Sequence, residues 1–204
     1  VIAVKSLFTQ AVAGLRVLLV FTVLLGVLYP LGVWAVSRVP WLQAGAEGSI
    51  IGRDGHAVGS SLIGIDPVPA DPARDPWFHN RPSATAQGPL GPGDPSLSGA
   101  SNKSAFNPEL IAAIEQRRDA IALREGVPAA AVPPDAVTAS GSGLDPSIGV
   151  AYAELQVARV ARNTGLTQET VRRLVGDHTS GGWIGVPGVN VLQLNLAVRS
   201  ATGR

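Results

Sequence analysis

An unbroken apolar run from Val17 to Val36, with no charged side chain between Arg16 and Arg38, constrains this chain more than any other feature. A helix of about twenty residues, rising about 1.5 Å each, crosses a hydrocarbon core of roughly 30 Å. Inside lipid such a helix satisfies its own backbone hydrogen bonds. The run predicts three parts: residues 1–16 as a cytoplasmic tail, 17–37 as a transmembrane helix, and 38–204 as an extracytoplasmic soluble domain. Two other readings compete. A buried core helix would not be this long and apolar on every side. A cleaved signal peptide would suit the small residues of Ala35-Val36-Ser37, but the run exceeds the usual 7–15 residues of such a peptide. Pro30 lies inside the run and removes one helix hydrogen bond. Tyr29 and Trp34 suit the aromatic belt at the outer interface.

Flanking charges set the orientation. Lys5 and Arg16 precede the run without any acid beside them, whereas Arg38 is followed by Glu47 and Asp54. Basic flanks stay on the cytoplasmic side, so the N-terminus is expected inside and the domain outside. The formal charge of +1 predicts no strong attraction to nucleic acid or acidic lipid. Cys is absent, which excludes disulfides, thiolate metal sites and cysteine nucleophiles. Met is absent even at position 1, as expected where a non-standard start codon is written as Val.

The domain reads as α+β, a mixed helix/strand domain with long Pro/Gly-rich loops behind one N-terminal transmembrane helix. Ser49-Ile50-Ile51 and Val58 to Ile65 predict two short strands around the turn Arg53-Asp54-Gly55. Residues 66–104 show no helical or strand period. Loops this long inside a domain are usually functional or disordered. The aromatic-basic cluster Trp77-Phe78-His79-Asn80-Arg81 in its middle calls for ordering against something. Asn107-Pro108 predicts a helix start, and Gly126 its end, with Leu110, Ile111, Ile114, Ile121 and Leu123 as apolar positions. A second break spans Pro128 to Gly143. Asp145-Pro146 predicts the next helix, running to about Asn163 with Gly165 as its stop. Thr167 caps a third, ending near His178. Val191 to Val198 alternates apolar and polar residues as a strand does, though a short helix capped by Asn190 fits as well.

Motifs for catalysis are sparse. His56, His79 and His178 are far apart and none stands in a metal-ligand spacing. Gly141-Ser142-Gly143 lacks the frame of a nucleophile elbow, and Ser140 and Ser142 read as turn residues. No residue is assigned a catalytic or metal-ligating role, and no cofactor-binding residue emerges. Leu97-Ser98-Gly99-Ala100-Ser101 partly resembles the signature of ABC transporter ATPases, which sets backbone N–H groups against phosphate, but the fourth Gly and the Gln are missing. Ala158 to Val175, with Arg159, Arg162, Arg172 and Arg173, has the outline of a DNA-binding helix-turn-helix. Two helices joined by a Gly turn are equally a plain structural unit. A membrane-anchored regulator and an anchored extracytoplasmic hydrolase therefore stand as alternative functions.

Several segments taken together carry more. They are Gly26 to Leu31, Val58 to Gly64, Arg81-Pro82-Ser83-Ala84, Val137 to Pro146, Gln156 to Ala161, His178-Thr179 and Val189 to Leu196. In this order and spacing, over nearly the whole chain, they resemble the C subunit family of the bacterial Kdp potassium-transporting P-type ATPase. The chain departs from the family pattern at Ser147, where His is common, at Ile65, at the loop Gly99 to Ser104, and at Val186-Pro187-Gly188.

The resemblance implies a non-catalytic accessory subunit, single-pass in a bacterial cell membrane. It implies three partners: the ATP-hydrolysing B subunit, the channel-like A subunit and a small single-span subunit. No nucleic acid is implied. The chain holds no cofactor of its own; ATP belongs to the partner ATPase subunit, whose ATP affinity the C subunit raises as a catalytic chaperone. The large domain is expected to cap the outer face of the channel-like subunit. Trp77, Phe78 and Arg81 are the candidate subunit contacts, because aromatic residues and Arg dominate interface energetics.

Overall fold

The computed structural model describes residues 2–183 and 185–203. It divides into two compact units, Val1–Ser49 and Ile50–Arg204.

The first unit is helical. Helix α1 (Ile2–Val23) runs through a π-helical turn (Leu24–Leu28) into α2 (Tyr29–Ser37). The stretch Val4–Ser37 is long and apolar enough to cross a membrane by length and composition. The helix therefore starts well before Val17, so the expected tail is itself helical. The wide turn sits directly before Pro30, and the Tyr29 N–H reaches back to the Leu24 carbonyl. This extra residue per turn accommodates a ring that can neither donate nor avoid the carbonyl of a regular preceding turn. A short helix α3 (Pro40–Ala46) follows, and Arg38 bonds Glu47 across it at 2.7 Å.

In the second unit, β1 (Ile50–Arg53) and β2 (His56–Ser60) form an antiparallel hairpin. Asp54 and Gly55 both have positive φ, the backbone that a two-residue hairpin turn demands. The second strand lies earlier than expected: Ser61 to Ile65 has left the ladder. Helix α4 (Pro108–Glu125) begins and ends as predicted, with the Asn107 side chain accepting from the Glu109 and Leu110 N–H groups and Gly126 left-handed. Its face is narrower than expected, since Ile121 is buried while Ile111 and Leu123 are exposed.

The break after α4 contains a one-turn helix, α5 (Pro134–Val137). Asp145-Pro146 does not start a helix. Ser147–Gly149 forms strand β3, and α6 (Val150–Thr164) begins behind it. Gly165 and Thr167 do cap as expected, around α6 and α7 (Gln168–Asp177). Two short strands missed by the sequence, β4 (Thr179–Ser180) and β5 (Gly188–Asn190), complete an antiparallel sheet in the order β3-β5-β4. The strand reading of Val191 to Val198 is overturned. That segment is helix α8 (Val191–Ala201), capped by Asn190, whose side chain accepts from Gln193 N–H. Val191, Leu194, Asn195 and Val198 face inward. Spacing of three and four overrides the alternation of two, because the intervening Leu192 and Leu196 sit at the edge of the same helical stripe.

The core lies around α6. Tyr152, Ala153, Val157, Val160 and Ala161 meet Ile121, Val171, Val175, Val189, Leu194 and Val198. Phe78 comes into this core from the long loop.

Candidate functional site

The loop around Trp77 has no secondary structure, so its buried backbone groups need other partners. Helices α6 and α8 supply them as side chains. Gln156 Oε1 accepts from the His79 N–H at 2.8 Å, and Gln156 Nε2 donates to the His79 carbonyl at 3.2 Å. Asn195 repeats the pattern one residue earlier: Oδ1 accepts from Phe78 N–H at 2.8 Å and Nδ2 donates to the Phe78 carbonyl at 2.9 Å. Each amide side chain stands where a neighbouring strand would. Arg159 Nη1 donates to the carbonyls of Asp75 and Trp77 at 2.9 and 2.8 Å, and Asn163 Nδ2 to Asp75 at 2.8 Å. Gln156, Arg159 and Asn163 are spaced three and four apart, one stripe of α6.

Beneath the loop lies a buried charge cluster. Arg159 pairs with Glu125 at 3.0 Å and with Asp75 at 2.9 Å, all three nearly inaccessible to solvent. Arg124 bonds Glu125 at 2.7 Å and the Tyr152 hydroxyl at 2.9 Å. His79 stands between Asp66 and Asp75. Burial works against the Asp75 carboxylate, but the His79 hydrogen bond and the charges of His79 and Arg159 prevail and hold its pKa below the usual range. Burial likewise pushes the Tyr152 phenol up.

A second junction holds Arg81. Its Nη1 lies 2.9 Å from Asp145 Oδ2, and Nε and Nη2 donate to the Thr138 carbonyl at 3.3 and 3.2 Å. The Ser140 N–H donates to the Pro82 carbonyl at 2.9 Å, and Ser140 Oγ accepts from the Gly143 N–H at 2.9 Å. A Cβ on Gly64 would collide with the Asp145 carbonyl. Three loops thus meet at Asp145. Arg81 also lines an open cleft of about 650 Å³ with Ile148, Val150, Val186 and Pro187. Trp183, three residues before Val186 in sequence, is almost fully exposed.

Of the expected contacts, Trp77 is half-buried, Arg81 keeps about a quarter of its side-chain surface, and Phe78 is wholly inside the core. Ser140 is buried as a turn residue, as read from the sequence. The Gly99 N–H donates to the Ser142 carbonyl at 2.7 Å and so is not turned toward an anion. Arg159, offered as a helix-turn-helix arginine, is interior, and Arg172 bonds Glu154. Neither guanidinium stands free for phosphate. The sequence reading missed Asp66, Asp75 and Glu125, and it named Gln156 and Asn195 only within the segments that carry the resemblance, without a structural role. For Gln156 and Arg159 a further signal was their place as polar residues on the apolar stripe of α6.

Comparison with known proteins decides the family. The family model for KdpC, the K⁺-transporting ATPase c chain, matches residues 11–200. The chain belongs to the KdpC family. It is 47% identical over 203 residues to the potassium-transporting ATPase KdpC subunit of Kineococcus radiotolerans, covering 98% of each chain. The KdpC subunit of Streptomyces coelicolor is 45% identical over 207 residues, covering 91% of this chain and 90% of that one. That of Polaromonas naphthalenivorans is 49% identical over 182 residues, 88% of each. The chain is accordingly a non-catalytic accessory subunit of the Kdp K⁺-transport ATPase, with the other Kdp subunits as partners.

Four of the KdpC-like segments supply side chains that hold the loops of the domain. Gln156 and Arg159 come from one, Asn190 and Asn195 from another, Arg81 from a third, and Ser140 and Asp145 from a fourth. Gln156, Arg159, Asn195, Arg81, Ser140 and Asp145 fasten the 75–81 loop or the Asp145 junction, and Asn190 Nδ2 donates to the Ser61 carbonyl at 2.8 Å.

Proposed function

We propose that the domain stands outside the membrane and caps the outer face of the channel-like subunit, where it stabilises the assembled pump or gates ion entry. The orientation follows from Lys5 and Arg16 before the span and Glu47 and Asp54 beyond it. One observation carries the docking part. The backbone of residues 75–79 is bolted to α6 and α8, so Trp77 and, two residues further on, Arg81 are held on a rigid support; Arg81 lines an open, largely apolar cleft, and Trp77 lines a separate one with Val198 and Arg199. Contacts preorganised in this way lose little entropy on binding. Phe78 serves the support from inside.

Partners on this reading are the P-type ATPase subunit, the multi-span channel-like subunit and a small single-span subunit. ATP stays with the hydrolysing subunit, because an outer domain cannot meet cytoplasmic nucleotide. A catalytic-chaperone effect on ATP affinity is then conformational, arising when the domain binds one state of the pump more tightly than another.

The test is affinity isolation of the tagged full chain from gently solubilised native membranes. Wild type brings down the ATPase and multi-span subunits in fixed ratio. Arg81→Ala lowers that recovery roughly tenfold or more, the weight of an interface hot spot, while the purified chain keeps most of its thermal stability. Full recovery, or a stability loss large enough to account for the whole defect, overturns the assignment of Arg81.

A further inference from the structure

Both ring nitrogens of His79 face carboxylates. Nδ1 lies 3.1 Å from each oxygen of Asp66, and Nε2 lies 2.6 Å from Oδ2 of Asp75. A neutral imidazole has one N–H; its other nitrogen is an acceptor. In that form one of these contacts would set a lone pair against a carboxylate oxygen. The imidazolium donates to both.

The charges around the ring agree. Asp66 and Asp75 come from its own loop, Arg124 and Glu125 from the end of α4, and Tyr152 and Arg159 from α6. Three carboxylates meet two guanidiniums, so a cationic His79 brings the cluster to neutrality. Its loss leaves a net negative charge in a site where His79 and Asp75 are almost fully buried. Uncompensated buried charge is costly.

We infer that His79 is a proton-operated latch on the 66–81 loop: protonated, it ties Asp66 and Asp75 together, and on losing its proton it releases the Asp66 side of the loop. Asp66 is the end that gives, because it is the more exposed carboxylate, at 14% against 3% for Asp75. Asp66 Oδ1 also accepts from the Asn80 N–H at 2.8 Å, so release reaches the residue next to Arg81. Burial alone would depress the His79 pKa, but the hydrogen bonds to Asp66 and Asp75 outweigh it, and the Arg124 charge that opposes them, and leave it raised above 6.5. A raised histidine pKa gives stability that is complete below the unfolded value near 6.5 and disappears as pH rises through the folded value. The latch is therefore closed in mildly acidic surroundings and opens toward alkaline pH. A consequence for pump assembly rests on the docking reading above.

The experiment uses the full chain in detergent. The Cε1–H proton signals of its histidines are titrated, with that of His79 assigned by its loss in His79→Gln. Amide-exchange protection of Asn80, corrected for intrinsic rate, is followed over the same pH range. The expected result is a His79 midpoint above 6.5 and an approximately tenfold fall in Asn80 protection at that midpoint. Asp66→Asn keeps the fold and moves the midpoint down. A midpoint at or below 6.5, protection with no inflection there, or an unmoved midpoint in Asp66→Asn overturns the latch. Recovery of partner subunits at each pH separates the two ideas. Loop release without loss of recovery leaves the latch standing and contradicts docking through this loop.

Discussion

Arg159→Ala should cost the domain about 3–5 kcal/mol, the range for breaking a buried ion pair by removing one partner. The side chain neutralises both Asp75 and Glu125 from the interior of α6. It also donates to the carbonyls of Asp75 and Trp77 and to Gln156 Oε1. Alanine leaves two carboxylates facing each other's field and the Trp77 carbonyl without its donor, while the Asp75 carbonyl keeps Asn163. Thermal or urea unfolding of the full chain in detergent measures the loss. At about 2–4 °C per kcal/mol for a domain of this size, the midpoint should fall by roughly 6–20 °C. Adding Glu125→Gln should restore part of the deficit, because it removes a buried charge that has lost one of its two partners and keeps only Arg124. Simple additivity of the two changes would mean that the residues do not act as a unit. A loss under about 1 kcal/mol for Arg159→Ala would contradict the buried network.

Phe78→Ala should destabilise by a similar amount, about 3–5 kcal/mol, as expected for emptying a fully buried aromatic position. Its ring lies at 0% exposure within the core around α6. Its neighbour is the control. Trp77→Ala should cost distinctly less stability, because that side chain is half-buried, while lowering recovery of the partner subunits. Denaturation midpoints of the two variants compare directly. Equal losses would mean that Trp77 also belongs to the core, and Arg81 would be left as the docking contact of this loop.

These two residues mark how far the sequence could be read. Helix ends were legible where one residue has one strong local reason to be there. Asn107, Gly126, Gly165 and Thr167 fall at their caps. Elements fixed by tertiary context were not. Ser147–Gly149 pairs with Gly188–Asn190, a partner some forty residues away that no local pattern announces. Val191 to Val198 alternates as a strand does, yet its neighbours take Leu194 and Val198 from one helical face. The loop at Trp77 was recognised as needing order, but not by what means. Side-chain amides paired to backbone leave no periodic trace, and Gln156 and Arg159 look like interruptions of an apolar stripe until the loop they hold is in place. Phe78, itself paired to Asn195, and Arg81, two residues beyond the His79–Gln156 pair, read alike in sequence as contacts and lie in quite different surroundings.

A cap on the outer face of the pump and direct contact with nucleotide require the large domain on opposite sides of the membrane. The chain contains no Cys, and Ser101 is exposed in the long loop. Ser101→Cys therefore offers a single reporter for a membrane-impermeant thiol reagent applied to intact cells. Labelling without permeabilisation is the predicted result and places the domain outside. Labelling that appears only after the membrane is opened would put the domain in the cytoplasm and contradict the outer-cap reading.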